Sequence, residues 1–228
     1  MSTITLATTK GGAGKTTTAQ MIIGAIHRLG YTIGVIDCDE NQTLSRWLNN
    51  TSRMAIETSV VLDESMVVKE IQKFQRKYDC VIVDTPAGYH QSTIFAMGCS
   101  DLVLIPLQLS YGDVTEADKT YRLVKSTARM AGKKIRARLI YTDYVPKTKI
   151  AKKVRKAVDD LCLPTMKTRL HHLVAFKDLT FTGNVPKKGT AGAQGQLLVQ
   201  EMHELGCLPF MDEQTEDQGV VMPFRRAS

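Results

Sequence analysis

Short continuous apolar runs alternate along this chain with longer stretches in which apolar residues recur at helical spacing. The runs Ile4–Ala7, Ile33–Ile36, Val60–Leu62, Cys80–Val83, Leu102–Leu107 and Arg138–Tyr141 predict strands. Between them, the spacing predicts helices over roughly 15–28, 64–77, 91–98, 114–131 and 149–161. Strands that are apolar throughout, not alternately, are those buried on both faces. Alternation with helices therefore predicts an α/β fold: a doubly wound, mostly parallel twisted sheet flanked by helices. No internal repeat and no linker rich in Gly, Pro or Ser divides residues 1–211, which are expected to form one domain. From Asp212 the chain turns acidic and weakly apolar, and 212–228 are expected to be a flexible tail.

Composition narrows the classes. The 228 residues are 43% apolar and 23% charged, as in globular proteins. No run approaches the roughly 18 apolar residues of a membrane-spanning helix, so no stable membrane insertion is expected. The first nine residues lack the charged and apolar regions of a secretion signal. Five singly scattered cysteines, with no Cys-x-x-Cys, fit reduced core thiols in a cytoplasm and offer no metal ligand set. The net charge is +7, but its placement matters more. Lys119 to Lys156 holds fourteen Lys/Arg and one acid, Asp143, whereas the remainder of the chain is net acidic. Such segregation predicts a surface that faces a polyanion.

The densest chemistry follows the first strand: Thr9-Lys10-Gly11-Gly12-Ala13-Gly14-Lys15-Thr16-Thr17. Glycines let backbone amides converge on a phosphate, and the N-terminus of the next helix adds partial positive charge. Lys15 is placed to bridge β- and γ-phosphates and Thr16 to hold Mg²⁺. The general phosphate-loop pattern asks for glycine at position 9, where this chain has threonine preceding an additional lysine. Two further acids end apolar strands, Asp37 in Val35-Ile36-Asp37-Cys38-Asp39 and Asp84 in Cys80-Val-Ile-Val-Asp84. That end of a parallel sheet is where ligands bind. Asp84 reads as a Mg²⁺-holding acid acting through water.

Together these residues resemble the ParA/MinD family of deviant Walker A ATPases, through Lys10-Gly-Gly-x-Gly-Lys-Thr-Thr, Asp37-x-Asp39, Asp84-Thr-Pro and Ser100-Asp-Leu-Val-Leu-Ile-Pro-Leu-Gln with Asp113 beyond it. The stretch from Asp39-Glu40-Asn41 to Trp47 is similar to the VirC-type branch of DNA-transfer systems and to StbB-type proteins of conjugative plasmids. The resemblance implies a homodimer formed around ATP and Mg²⁺, with slow hydrolysis. It implies that residues 10–17 bind nucleotide and that Lys10 reaches the partner's nucleotide. Lys15 acts in cis, Asp39 positions the attacking water, and Asp37 lies in the Mg²⁺ shell or switch. It also implies a stimulating partner, a small centromere-binding or relaxosome protein. Where many relatives have Asp-Pro-Gln, this chain has Asp39-Glu40-Asn41.

Helical projection puts Lys119, Arg122, Lys125 and Arg129 along one stripe, and Lys149, Lys152, Lys153, Arg155 and Lys156 opposite an apolar face. Without interleaved acids, these stripes are expected to bind DNA phosphates irrespective of sequence and to associate the protein with the nucleoid. The role that follows is plasmid partition, plasmid stability or conjugative transfer. The alternatives are a MinD-like membrane-associated positioning ATPase, a cargo-positioning relative, a metabolic phosphate-loop enzyme and a scaffold that uses ATP structurally. Trp47 is expected to pack, and His171-His172 to serve surface or core rather than a metal.

Overall fold

The computed structural model describes residues 1–208; the acidic segment expected from 212 lies outside the described residues. Six strands form the sheet: β1 Ser2–Leu6, β2 Ile33–Asp37, β3 Glu57–Val60, β4 Cys80–Asp84, β5 Leu102–Leu107 and β6 Arg136–Tyr141. They lie in the order β3-β2-β4-β1-β5-β6, and every pair is parallel. Among the described residues eight α-helices accompany them: α1 Lys15–Arg28, α2 Thr43–Asn50, α3 Val67–Gln75, α4 Gln91–Cys99, α5 Tyr111–Met130, α6 Lys149–Asp160, α7 Val174–Thr182 and α8 Gly189–Glu204.

Successive residues of each buried strand feed opposite layers, as the two-residue strand period requires. Ile4, Leu6, Val35, Ile82 and Leu104 pack with α1, α2, α7 and α8. Val81 and Val83 face α3 and α4, while Val103, Ile105, Leu139 and Tyr141 face α5 and α6. The chain winds left from β1 to β2 and later crosses to β5 on its right, which makes the carboxyl end of β1 a topological switch point.

Several expectations are revised. The third strand is Glu57–Val60, not 60–62, because the chain pairs with β2 through a polar Glu-Thr-Ser stretch at the sheet's edge. The helix expected over 64–77 divides into a 3-10 turn at Glu64–Met66 and α3. Cys99 is only half-buried and Cys162 is exposed, so the cysteines are not all core residues. Trp47 packs as expected, in the core, with its Nε1 donating to Leu179 O at 2.8 Å.

Candidate nucleotide and nucleic-acid sites

Between β1 and α1 the backbone turns sharply, with Gly12 at φ 74° and Gly14 at φ 94°. These left-handed conformations favour glycine, and Gly14 serves as the N-cap of α1 with no side chain to satisfy the helix amides. No described residue accepts a hydrogen bond from the amides of Gly11, Gly12, Ala13 or Gly14. At the head of α1, Lys15 is 8% exposed and makes no ion pair with any described residue. Desolvation lowers its pKa, against the pull of the Asp84 and Asp39 carboxylates. A largely buried lysine without an ion pair, at a helix N-terminus that follows four open amides, is a receptor for a polyanion.

Asp84 ends β4 in register with Asp37 of β2 and Leu6 of β1. One of its oxygens accepts from Thr16 Oγ1 at 2.8 Å, and the other, Oδ1, is buried without a partner. Burial pushes the Asp84 carboxyl up to about 7, with the Thr16 hydrogen bond opposing the rise. An orphaned carboxylate oxygen beside a hydroxyl at the loop fits a hard cation, which prefers such oxygen ligands. Thr16 and Asp84 therefore suit Mg²⁺.

The two other acids differ. Asp37 is fully buried, its Oδ1 accepting from Asp39 N at 3.1 Å and its Oδ2 from Ser45 N at 2.9 Å. Desolvation raises its pKa while these bonds oppose the rise. Asp37 thus braces the turn into α2, and Asp84 is the acid with an open oxygen. Asp39 Oδ1 accepts from Asn41 N at 2.8 Å and Asn41 Nδ2 at 3.0 Å. It lines a cleft of about 290 Å³ with Glu40, Asn41, Glu64 and His90.

On the opposite side of the loop, a second cleft of about 270 Å³ is lined by Gly12, Gly14, Thr17, Thr142, His171 and Phe176, among others. Its position beside the phosphate loop suits the nucleoside. Thr142 carries no motif signal, and Gln108, which also lines this cleft, ends the Ser100–Gln108 stretch of the family resemblance, which assigned it no task of its own. His172 is engaged by Asp143, Nδ1 to Oδ1 at 2.5 Å. No cluster of metal-ligating side chains occurs among the described residues.

Lys10 Nζ donates to Asp113 Oδ2 at 2.7 Å, within the same chain. Burial opposes the charge on Asp113, yet hydrogen bonds from Lys10 and Ser110 hold its carboxyl below the ordinary value. All nine cationic residues expected to face DNA are exposed on α5 and α6. The expectation of stripes without acids is corrected: Lys119 pairs with Glu116, Arg122 with Asp118 and Lys156 with Asp160. These acids flank the basic segment in sequence and return one helical turn away. Lys125, Arg129, Lys149, Lys152, Lys153 and Arg155 make no ion pair with a described residue. No described helix is long and apolar enough to cross a membrane.

Comparison with known proteins supports the family resemblance and the fold. The family profile described as VirC1 protein matches residues 1–191. The maintenance of carboxysome distribution protein A of Halothiobacillus neapolitanus is 25% identical over 206 residues, 89% of this chain and 94% of that protein. Protein virC1 of Rhizobium rhizogenes is 33% identical over 134 residues, 54% of this chain and 56% of that protein. Among solved structures, the septum site-determining protein MinD of Pyrococcus horikoshii, complexed with Mg-ADP, superposes with a TM-score of 0.73 at 17% identity. That match covers 90% of this chain and 97% of the other.

Proposed function

Because this chain belongs to the VirC1 family of ParA/MinD-type P-loop ATPases, we propose that it is a nucleotide-driven switch. In this reading it binds ATP with Mg²⁺ at residues 10–17, pairs with a second copy over the nucleotide, hydrolyses it slowly, and holds DNA through α5 and α6. The observation that carries the reading is Lys15, buried and without an ion-pair partner, at the end of a loop with four unengaged amides.

Phosphoryl transfer demands mainly positioning and charge neutralisation. The loop amides and Lys15 would grip the β- and γ-phosphates. Thr16 and Asp84 would hold Mg²⁺, which when bound spreads charge from the phosphate oxygens. Asp39 would orient the attacking water, its carboxylate anchored by Asn41. Lys10 would leave Asp113 and enter the partner's site, making hydrolysis a property of the dimer and ATP a timer of its lifetime.

DNA binding by a switch of this kind suits plasmid partition, plasmid stability or conjugative transfer, with a centromere-binding or relaxosome protein as stimulator. Positioning of another cargo is the second reading, supported by the relative matched along 89% of this chain. Calorimetric titration with ATP and Mg²⁺ tests the foundation. The wild type is expected to bind and Lys15→Ala to show no heat; a wild type that also shows none overturns the reading.

A further inference from the structure

A peptide group is planar and trans, so fixing its carbonyl also fixes the amide at its other end. Two successive carbonyls of the phosphate loop are fixed by side chains from distant strands. Gly12 O accepts from Gln108 Nε2 at 3.0 Å, just beyond the end of β5. Ala13 O accepts from Thr142 Oγ1 at 2.7 Å, just beyond the end of β6. The amides in these same two peptide groups are those of Ala13 and Gly14, which point away from Gln108 and Thr142 and have no described acceptor.

The Thr142 hydroxyl is well chosen for this. Its longer contact, 3.2 Å to Leu107 O, is to a carbonyl already served by the Thr142 amide at 2.9 Å, which leaves the hydroxyl proton for Ala13 O. Thr142 is buried, and the loop rests directly on it. A Cβ added to Gly14 would lie 3.1 Å from Thr142 Cβ.

We propose that Thr142 and Gln108 are positioning residues of the phosphate loop, whose hydroxyl and carboxamide lock two of its peptide planes so that the Ala13 and Gly14 amides face a triphosphate. The proposal rests on the reading that residues 10–17 bind ATP, and adds what holds the loop in shape before the nucleotide arrives. A loop free to rotate those peptides would have to be ordered by the ligand, at a cost in affinity.

Isosteric removal of each donor tests it. Thr142→Val keeps shape and discards the hydroxyl; Thr142→Ser keeps the hydroxyl and discards the methyl. Gln108→Met removes the carboxamide at similar length. Titrations with Mg²⁺–ATP by calorimetry and with adenosine by NMR would separate loop from nucleoside cleft, which Thr142 and Gln108 also line. Thr142→Val and Gln108→Met are each expected to weaken ATP binding about tenfold, the scale of one well-placed hydrogen bond. Thr142→Ser should return to within about threefold of wild type, and in each variant adenosine binding should weaken by a clearly smaller factor than ATP binding. ATP binding undiminished in Thr142→Val, or ATP and adenosine weakened by the same factor, overturns the proposal. Should Thr142→Val fail to fold, Gln108→Met decides by the same two criteria. A wild type that does not bind ATP would instead sink the underlying reading.

Discussion

Lys10 Nζ lies 2.7 Å from Asp113 Oδ2, so the lysine that a nucleotide-bridged dimer would need is tethered within its own chain. Asp113 is itself fixed by the Ser110 N-cap of α5, and its side chain is almost wholly buried. The tether would therefore oppose the proposed dimerisation. Asp113→Asn keeps the shape and removes the charge. A half-exposed pair is worth about 1 kcal/mol, or roughly fivefold in an equilibrium. Each dimer releases two such tethers, so sedimentation with ATP and Mg²⁺ is expected to show Asp113→Asn dimerising at about 25-fold lower protein concentration than wild type. An unchanged midpoint would remove the tether from the switch.

Asp84 sets a pH dependence of stability. Its folded-state pKa is raised from 3.8 to about 7 by burial. The folded chain therefore holds this proton more tightly than the unfolded chain, and stability falls as pH rises from about 4 through about 7. Asp84→Asn has no such proton to lose. In urea unfolding without Mg²⁺, the variant should exceed wild type at pH 8 by at most about 4 kcal/mol, at roughly 1.4 kcal/mol per pKa unit. The difference should shrink as pH is lowered to about 4. A difference that does not vary with pH would show Asp84 ionising normally.

How far the sequence disclosed this architecture depended on where each element finds its partners. The central strands are apolar by themselves, so Leu102–Leu107 was legible residue for residue. The edge strand Glu57–Val60 carries no such pattern, and its pairing with β2 alone defines it. Helix α2 is eight residues long and owes its start to Asp37 accepting from Ser45 N. Helix α8 contains Gly189, Gly192 and Gly195, all poor helix formers, and close packing demands one of them: a Cβ on Gly192 would lie 2.4 Å from Lys187 C. The site divides in the same way. Residues 10–17 and Asp84 sit in contiguous motifs, whereas Thr142 reaches the loop across 129 positions and carries no local signal.

Gly183 offers a test of how α7 is seated. It follows the helix at φ 67°, and its amide donates to Leu179 O, the carbonyl that also accepts from Trp47 Nε1. A Cβ there would lie 2.0 Å from the Thr51 carbonyl oxygen. Gly183→Ala combines left-handed strain with a clash against backbone, and should destabilise by about 2 kcal/mol or more. Thermal unfolding measures this directly. A loss below about 0.5 kcal/mol would mean that α7 is not held against the end of α2.

Charge pairing divides the cationic helices into unequal halves, and salt titration of DNA binding can tell them apart. Each phosphate contact contributes about 0.9 to the slope of log affinity against log salt on duplex DNA. Lys149, Lys152 and Lys153 make no ion pair with a described residue, so replacing all three with alanine should reduce the slope by about 2 to 3 units. Lys119 and Arg122 differ because Glu116 and Asp118 neutralise them locally. Exposed pairs of this kind are weak, about 0.2 to 1 kcal/mol, but each leaves an acid beside any phosphate that displaces it. The double replacement of Lys119 and Arg122 by alanine should therefore reduce the slope by less than about 1 unit. Fluorescence anisotropy on unrelated duplexes from low to moderate salt, with ATP present, gives both slopes. Equal reductions would show that the paired residues face DNA as freely as the unpaired ones. No reduction in either would remove α5 and α6 from the DNA surface altogether.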